Sequence, residues 1–86
     1  MKKQNILITN PTGLHARPAT QLVALSKKYK SDITIECEGF IVNPKNIFSV
    51  LKGKMKSGKK ISIDAAGPDA EEAVAALCSF IDNLEE

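Results

Sequence analysis

The sequence predicts an α+β domain in which helices pack on one face of a mainly antiparallel sheet. Four stretches are typical of strands, most clearly 33–37 and 60–65, where apolar and polar residues alternate. Three others repeat apolar residues at helical spacing, giving the order strand, helix, strand, strand, short helix, strand, helix. A hairpin joins two strands directly and helices join the rest, as in two-layer α+β domains. The 86 residues suit one domain, 1–86.

The first strand is predicted over residues 2–9, because Ile6 and Ile8 recur at the strand period. The turn residues of 10–13 lead into a helix predicted over 16–28. Its predicted buried stripe consists of Ala19, Leu22, Val23 and Ser26.

A hairpin is predicted in the middle of the chain, where Glu38-Gly39 separates a strand over 33–37 from a short strand over 40–43. The inward face of the strand over 33–37 consists of Ile33, Ile35 and Cys37. The opposite face of the sheet is predicted to be exposed to solvent, because it carries the polar residues Thr34, Glu36, Ser62 and Asp64.

The second helix is predicted to be short, with Asn46 as its N-cap and an end near Gly53. Such a short helix cannot bury all of its apolar residues, so part of it is expected to form an exposed apolar patch. The residues concerned are Ile47, Phe48, Val50 and Leu51.

The last two elements are a strand over 60–65 and a helix over about 69–84. Gly67-Pro68-Asp69 is expected to cap this helix, with acidic side chains at its positive end. The residues predicted to face inward are Ile61, Ile63 and Ala65 on the strand, and Ala73, Leu77, Phe80 or Ile81, and Leu84 on the helix.

Composition narrows the possible functions. No apolar run approaches membrane-spanning length, and a lone pair of cysteines, Cys37 and Cys78, fits reduced buried thiols in the cytoplasm. Neither cysteine lies in a metal-ligand spacing, so neither a metal nor another cofactor is expected.

Residues 45–60 hold six lysines and no acid, whereas 65–86 hold six acids and no base. Because aromatics are scarce, an acidic protein partner or a small phosphorylated group is favoured over nucleic acid.

The candidate site is Gly13-Leu14-His15-Ala16-Arg17-Pro18, which contains the only histidine and the only arginine. With His15 as N-cap, proline falls in the first helical turn, where it is tolerated. The amides of Ala16 and Arg17, the helix dipole and the guanidinium would converge beside the imidazole. This arrangement suits an anion next to a nitrogen nucleophile. With no paired general base in view, it favours a reversible phosphoryl carrier over a complete enzyme.

Plainer interpretations stay open for each residue. His15 can be a cap or turn residue without chemistry, and Arg17 an ordinary surface charge. Thr12 offers a hydroxyl to the same anion or simply completes the turn. For the whole chain, the alternatives are a regulatory binding module and a nucleic-acid-binding domain that uses the lysines of 45–60.

The heptapeptide Gly13-Leu14-His15-Ala16-Arg17-Pro18-Ala19 resembles the active-site motif of the HPr family of phosphotransferase-system phosphocarriers. The segment Val42-Asn43-Pro44-Lys45-Asn46-Ile47-Phe48, the length and the element order extend the resemblance over the whole chain. It implies an open-faced β-sandwich of four antiparallel strands and three helices, present as a monomer. It implies that His15, through Nδ1, accepts phosphate from enzyme I and passes it to enzyme IIA domains. Arg17 and the amides of Ala16 and Arg17 would hold the phosphoryl group, and the implied partner interface is Thr20, Gln21, Lys27, Ile47, Phe48 and Leu51.

The chain departs from the family pattern at two places. Many members carry a regulatory serine where this chain has Asn46, so control by seryl phosphorylation there is expected to be absent. The stretch 52–56, Lys-Gly-Lys-Met-Lys, is also more basic than the usual small, apolar sequence. A catabolite-regulating branch lacks the histidine and is disfavoured, whereas the nitrogen-related branch keeps it and stays open.

Overall fold

The computed structural model describes residues 2–11, 13–14, 16–53 and 55–84. The elements have the predicted order, and their bounds are β1 Lys2–Leu7, α1 Ala16–Ser26, β2 Asp32–Cys37, β3 Phe40–Val42, α2 Ile47–Lys52, β4 Lys60–Ala66 and α3 Ala70–Asp82.

The strands form one open sheet in the order β1-β4-β2-β3, and every neighbouring pair is antiparallel. The alternating side chains of β2 and β4 face the helices and are buried, as predicted for Ile35 and Ile63. On the opposite face Glu36 is exposed, while Thr34, Ser62 and Asp64 are half-buried because they lie on the two central strands. The predicted α+β architecture is therefore confirmed.

The core is aliphatic and lies between the sheet and the helices. On α3 the stripe predicted from the sequence is mostly right: Ile81 is fully buried, whereas Phe80 and Leu84 are only partly buried. The complete inward face of α3 consists of Ala70, Ala73, Val74, Leu77, Cys78 and Ile81. No helix within the described ranges is both long enough and apolar enough to cross a bilayer.

Both cysteines, Cys37 and Cys78, are buried thiols without a disulfide, as predicted. Burial raises the pKa of each above its ordinary value, because the thiolate is poorly solvated in an apolar environment.

The β2–β3 hairpin turns at Glu38 and Gly39, as the sequence predicts. Both residues have positive φ, 50° and 84°. This combination matches a two-residue turn whose twist suits the flanking strands. Lys59, which directly precedes β4, forms an ion pair with the turn, because its Nζ lies 2.7 Å from Glu38 Oε1.

Asp69 does not cap α3 with its side chain, contrary to the expectation. Its carboxylate instead accepts hydrogen bonds from the amides of Lys30 and Ser31, both at 2.9 Å, and from the Ser31 hydroxyl. On the same segment, Lys45 Nζ donates to the carbonyls of Tyr29 and Ser31 at 2.8 and 2.9 Å. The connection between α1 and β2 is thus held by an acid that directly precedes α3 and by a base from the approach to α2.

From these hydrogen bonds we predict how the stability of the folded protein changes at low pH. They require the ionised carboxylate, and chiefly the Ser31 hydroxyl and the Lys30 amide lower the pKa of Asp69 from 3.8 to about 2. Their contribution is complete above about pH 4 and is lost as the pH falls towards 2. We expect Asp69→Asn to lower the melting temperature by roughly 5 °C at pH 7, and this deficit to shrink between pH 4 and pH 2.

Thermal unfolding at several pH values between 7 and 2 measures the effect. Asp32→Asn is the matched control, because Asp32 is exposed and its side chain has no hydrogen-bond partner within the described ranges. A deficit for Asp69→Asn that stays constant down to pH 2 would contradict the assigned network.

Candidate functional site

Two predicted site residues, Thr12 and His15, lie outside the described residues. The structure does describe their neighbours in the chain, namely Gly13-Leu14 and the helix that begins at Ala16. The site is therefore described by what surrounds these two positions.

The loop before α1 is held by a buried asparagine and by its own backbone. Asn10 is only 2 % exposed, and its Nδ2 donates to the Gly13 carbonyl at 2.8 Å. The Gly13 amide donates back to the Asn10 carbonyl at 3.2 Å, and the Leu14 amide donates to the Met55 carbonyl at 2.8 Å. The residue that follows Leu14 in the chain is His15, so these contacts fix the backbone just ahead of it.

Gly13 is required at its position for two reasons. Its φ of +64° is one that side chains disfavour, and a Cβ there would lie 2.5 Å from the Met55 carbonyl oxygen and 2.8 Å from Lys56 Cα. The site loop therefore lies directly on the connection between α2 and β4.

Sequence reasoning missed Asn10 and Met55 as supports of this loop. Asn10 was assigned only to a turn by composition. Met55 is 2 % exposed although it stands among lysines. An apolar residue inside a basic stretch was the signal that could have identified it as a buried anchor.

The helix α1 begins at the predicted place. Pro18 is its third residue and is buried, whereas Ala16, Arg17, Thr20 and Gln21 are exposed. The amides of the first turn have no acceptor within a helix, and the positive end of the dipole lies there. This end of α1 can therefore stabilise an anion next to position 15.

Thr20 and Lys27, two residues of the predicted interface, lie at different distances from the site. Thr20 is one turn into α1, and its hydroxyl donates to the Ala16 carbonyl at 3.1 Å. Lys27 is exposed beyond Ser26, the last residue of α1, and not inside a helix to 28 as predicted. It stands about 16 Å along the helix axis from the first turn, so it can contact only a partner with a broad footprint.

The start of α2 has the predicted cap. Asn46 is extended, with φ −124° and ψ 116°, and its Oδ1 accepts from the amides of Phe48 at 2.9 Å and Ser49 at 3.3 Å. The Ser49 hydroxyl is engaged as well, accepting from the Asn43 amide at 2.8 Å. Asparagine at this position therefore supports the helix by local chemistry.

The helix α2 exposes part of its apolar surface, as predicted from its length. Phe48 is 73 % exposed and Leu51 42 % exposed, whereas Ile47 is half-buried and Val50 is fully buried. Because α2 packs against α1, the surface formed by Ile47, Phe48 and Leu51 lies beside α1; we call it the α2 patch. An exposed apolar surface of this kind commonly marks a protein-binding site.

Two lysines of 45–60 make specific contacts within the protein. Lys45 holds backbone carbonyls, as described above. Lys59 is paired with Glu38, which raises the pKa of the lysine through their hydrogen bond and charge interaction. Exposed lysines of this segment remain at Lys52, Lys56 and Lys60.

Comparisons with known proteins agree on one family. The family model described as "PTS HPr component phosphorylation site" matches residues 2–83. The phosphocarrier protein HPr of Borreliella burgdorferi is 40 % identical over 86 residues, covering all of both chains. The crystal structure of HPr-C-His from Thermoanaerobacter tengcongensis has a TM-score of 0.92 and 39 % identity, covering 95 % of this chain and 92 % of that one.

A phosphocarrier protein HPr from Bacillus anthracis superposes with a TM-score of 0.90 and 34 % identity, over 93 % of this chain and 95 % of that one. The open-faced arrangement of four antiparallel strands and three helices, expected from the resemblance, is confirmed by these matches.

Proposed function

This chain belongs to the HPr family of phosphotransferase-system phosphocarriers, and on that premise we propose that it carries a phosphoryl group on His15. Members of this family are carriers and not catalytic enzymes. The proposal treats 1–86 as one phosphocarrier domain that works as a cytoplasmic monomer without a cofactor or metal.

The proposal rests on the two features that flank position 15 in the chain, an anchored residue before it and the start of a helix after it. Leu14 is anchored to the Met55 carbonyl, and α1 begins at Ala16. Position 15 directly precedes the first residue of this helix in the chain and is two residues from Arg17, which is exposed, and the start of a helix stabilises an anion.

In the proposed transfer, the neutral imidazole of His15 attacks phosphorus through Nδ1. A P–N bond forms while the bond from phosphorus to the donor breaks, and the donor's leaving atom keeps that electron pair. The phosphoryl oxygens are then held by the amides of Ala16 and Arg17, by the Arg17 guanidinium and by the Thr12 hydroxyl. The same steps in reverse order deliver the group to an acceptor.

The proposed donor is enzyme I, and the proposed acceptors are enzyme IIA domains of sugar permeases. Both would dock on the α2 patch together with Thr20, Gln21 and Lys27. Because Asn46 has no hydroxyl, we propose that phosphorylation at the start of α2 does not regulate this protein.

The proposal is tested by incubating the protein with enzyme I and labelled phosphoenolpyruvate, then adding an unlabelled IIA domain. We expect the label to enter within seconds and to chase onto IIA, because a carrier must both gain and lose phosphate quickly. Label that enters but does not leave would favour a regulatory binding module. Charging only by the enzyme I of the nitrogen branch would assign the chain to that branch.

The α2 patch supplies a separate prediction. Because Phe48 is 73 % exposed, we expect Phe48→Ala to raise the KM for charging by enzyme I about tenfold. We expect it to lower the melting temperature by less than about 3 °C.

Val50→Ala is the matched control within the same helix, because Val50 is fully buried. It should lower the free energy of unfolding by about 2 kcal/mol and leave KM within about twofold of wild type where the protein is folded. A melting temperature that falls as far in Phe48→Ala as in Val50→Ala would identify Phe48 as a core residue instead.

A further inference from the structure

A groove opens between the end of α2 and the β2–β3 hairpin. Its volume is about 310 Å³. It is lined by Cys37, Glu38, Phe40, Lys52, Gly53, Lys56 and Lys59. We call it the hairpin groove.

Phe40 is the apolar wall of this groove, and its exposure is unusual for its place in the sheet. It pairs in register with Cys37, so the two side chains lie on the face that the helices cover. Cys37 is 3 % exposed, yet Phe40 is 62 % exposed. The cover of the helices therefore stops short of Phe40.

The end of α2 explains why Phe40 is uncovered. Gly53 follows the helix and lies so close to β3 that a Cβ on it would be 2.5 Å from Val42 Cγ2. Val42 is thus covered by the end of α2 and is only 1 % exposed. Phe40, two residues nearer the hairpin on the same face, extends past the end of α2.

The charges around Phe40 are mainly positive. Lys59 and Glu38 are paired with each other at 2.7 Å. Lys52 and Lys56 are exposed, and neither forms an ion pair with any residue of the described ranges. The groove therefore offers two uncompensated ammonium groups beside an exposed aromatic ring.

We propose that the hairpin groove is a second docking element for phosphotransfer partners and takes an acidic segment of the partner protein. An apolar side chain of that segment packs on Phe40, and its carboxylates pair with Lys52 and Lys56. This inference rests on the proposed function and specifies the chemistry of the partner.

Continuity with the α2 patch favours a protein over a nucleic acid. Lys52 directly follows Leu51, and α2 packs against both α1 and β3. A partner seated on Phe48 and Leu51 therefore reaches the groove by extending past the end of α2. Nucleic acid would use the lysines and leave the adjoining apolar surface unused.

The test compares two double charge reversals that change the net charge equally. Lys52→Glu/Lys56→Glu alters the groove, and Lys2→Glu/Lys3→Glu alters exposed lysines of β1, at the opposite edge of the sheet from β3. We expect the groove variant to raise the KM for charging by enzyme I about fivefold or more, and the β1 variant by less than about twofold. Raising the salt concentration to about 1 M should make the KM values of the wild type and the two variants nearly equal, because exposed charges are then screened.

A titration with an unlabelled IIA domain gives an independent readout. In NMR spectra, the amide signals of Phe40 and Gly53 should shift in the wild-type protein and not in the groove variant, and Phe40→Ala should weaken binding about threefold. Equal KM values for the two charge reversals, together with unmoved groove signals, would overturn the inference while the proposed function stands.

Three other results would also overturn it. A dimer that only the groove variant dissociates would identify a second copy of this chain as the occupant. A salt-sensitive gel shift with RNA, lost in the groove variant, would identify nucleic acid. If the wild-type protein takes up no acid-labile label at all, the proposed function fails and the inference fails with it.

Discussion

The His15→Ala variant is expected to accept no phosphoryl group from enzyme I while remaining folded. His15 is the only histidine in the chain, so no other imidazole can replace it. We expect the charging rate to fall by a factor on the order of 1000 or more, because the attacking nitrogen is removed outright. Charging with labelled phosphoenolpyruvate measures the loss, and a thermal melt should show a midpoint within about 3 °C of wild type.

Arg17→Lys is the matched control for this variant, because it keeps the nucleophile and the positive charge. Lysine lacks the planar fork that binds two phosphoryl oxygens, so charging should slow without being abolished. Undiminished labelling of His15→Ala would remove His15 from the chemistry. An unfolded His15→Ala would make it a structural residue.

The Gly13→Ala variant is expected to be both less stable and slower in transfer. An added Cβ meets the Met55 carbonyl and Lys56 Cα at distances that no side chain tolerates, and φ is +64°. Strain and overpacking together should lower the free energy of unfolding by roughly 3 kcal/mol. Displacing the loop from Met55 also misplaces the residues that follow, so we expect charging to slow about tenfold or more.

Gly39→Ala separates these two causes. Gly39 also has a positive φ, 84°, but nothing lies within 4 Å of an added Cβ. It should therefore show only the conformational strain, about 1 kcal/mol, and charge at the wild-type rate. Equal losses of stability and rate in the two variants would show that the close approach to Met55 has no special role. Chemical unfolding and charging assays on both proteins decide the matter.

The sequence predicted features that depend on local chemistry. Alternation identified β2 and β4, Asn46 identified the start of α2, and the shortness of α2 indicated that part of it must be exposed. Each of these follows from residues within one element or next to it, so a single stretch of sequence contains the information.

Features that depend on distant residues were not predicted. Asp69 was expected to cap its own helix, yet its carboxylate binds the backbone 38 and 39 residues away. Lys45 was counted only among the six lysines of 45–60, yet its Nζ donates to the carbonyls of Tyr29 and Ser31. In each case several acceptors or donors were possible, and tertiary packing selected one.

The candidate site shows the same division. The motif 13–19 and its resemblance to a family identified the residues for the proposed chemistry. The supports of that motif, Asn10 and Met55, became apparent only when the loop was seen lying on the connection between α2 and β4. The observed end of α1 differs from the predicted end at residue 28 for a local reason. The helix stops at Ser26, because the amides of Lys28 and Tyr29 donate to carbonyls three residues back instead of four.

Phosphorylation of His15 is tested by locating the label on the charged wild-type protein and measuring the stability of the label in acid and base. Because Pro18 follows Arg17, trypsin should leave the site in one peptide, 4–27. The label is expected to be in this peptide, to disappear in acid, to survive base, and to give the NMR signature of an imidazole phosphorylated at Nδ1. Label that survives acid and is lost in base, or that lies in a peptide containing Ser49, would contradict it.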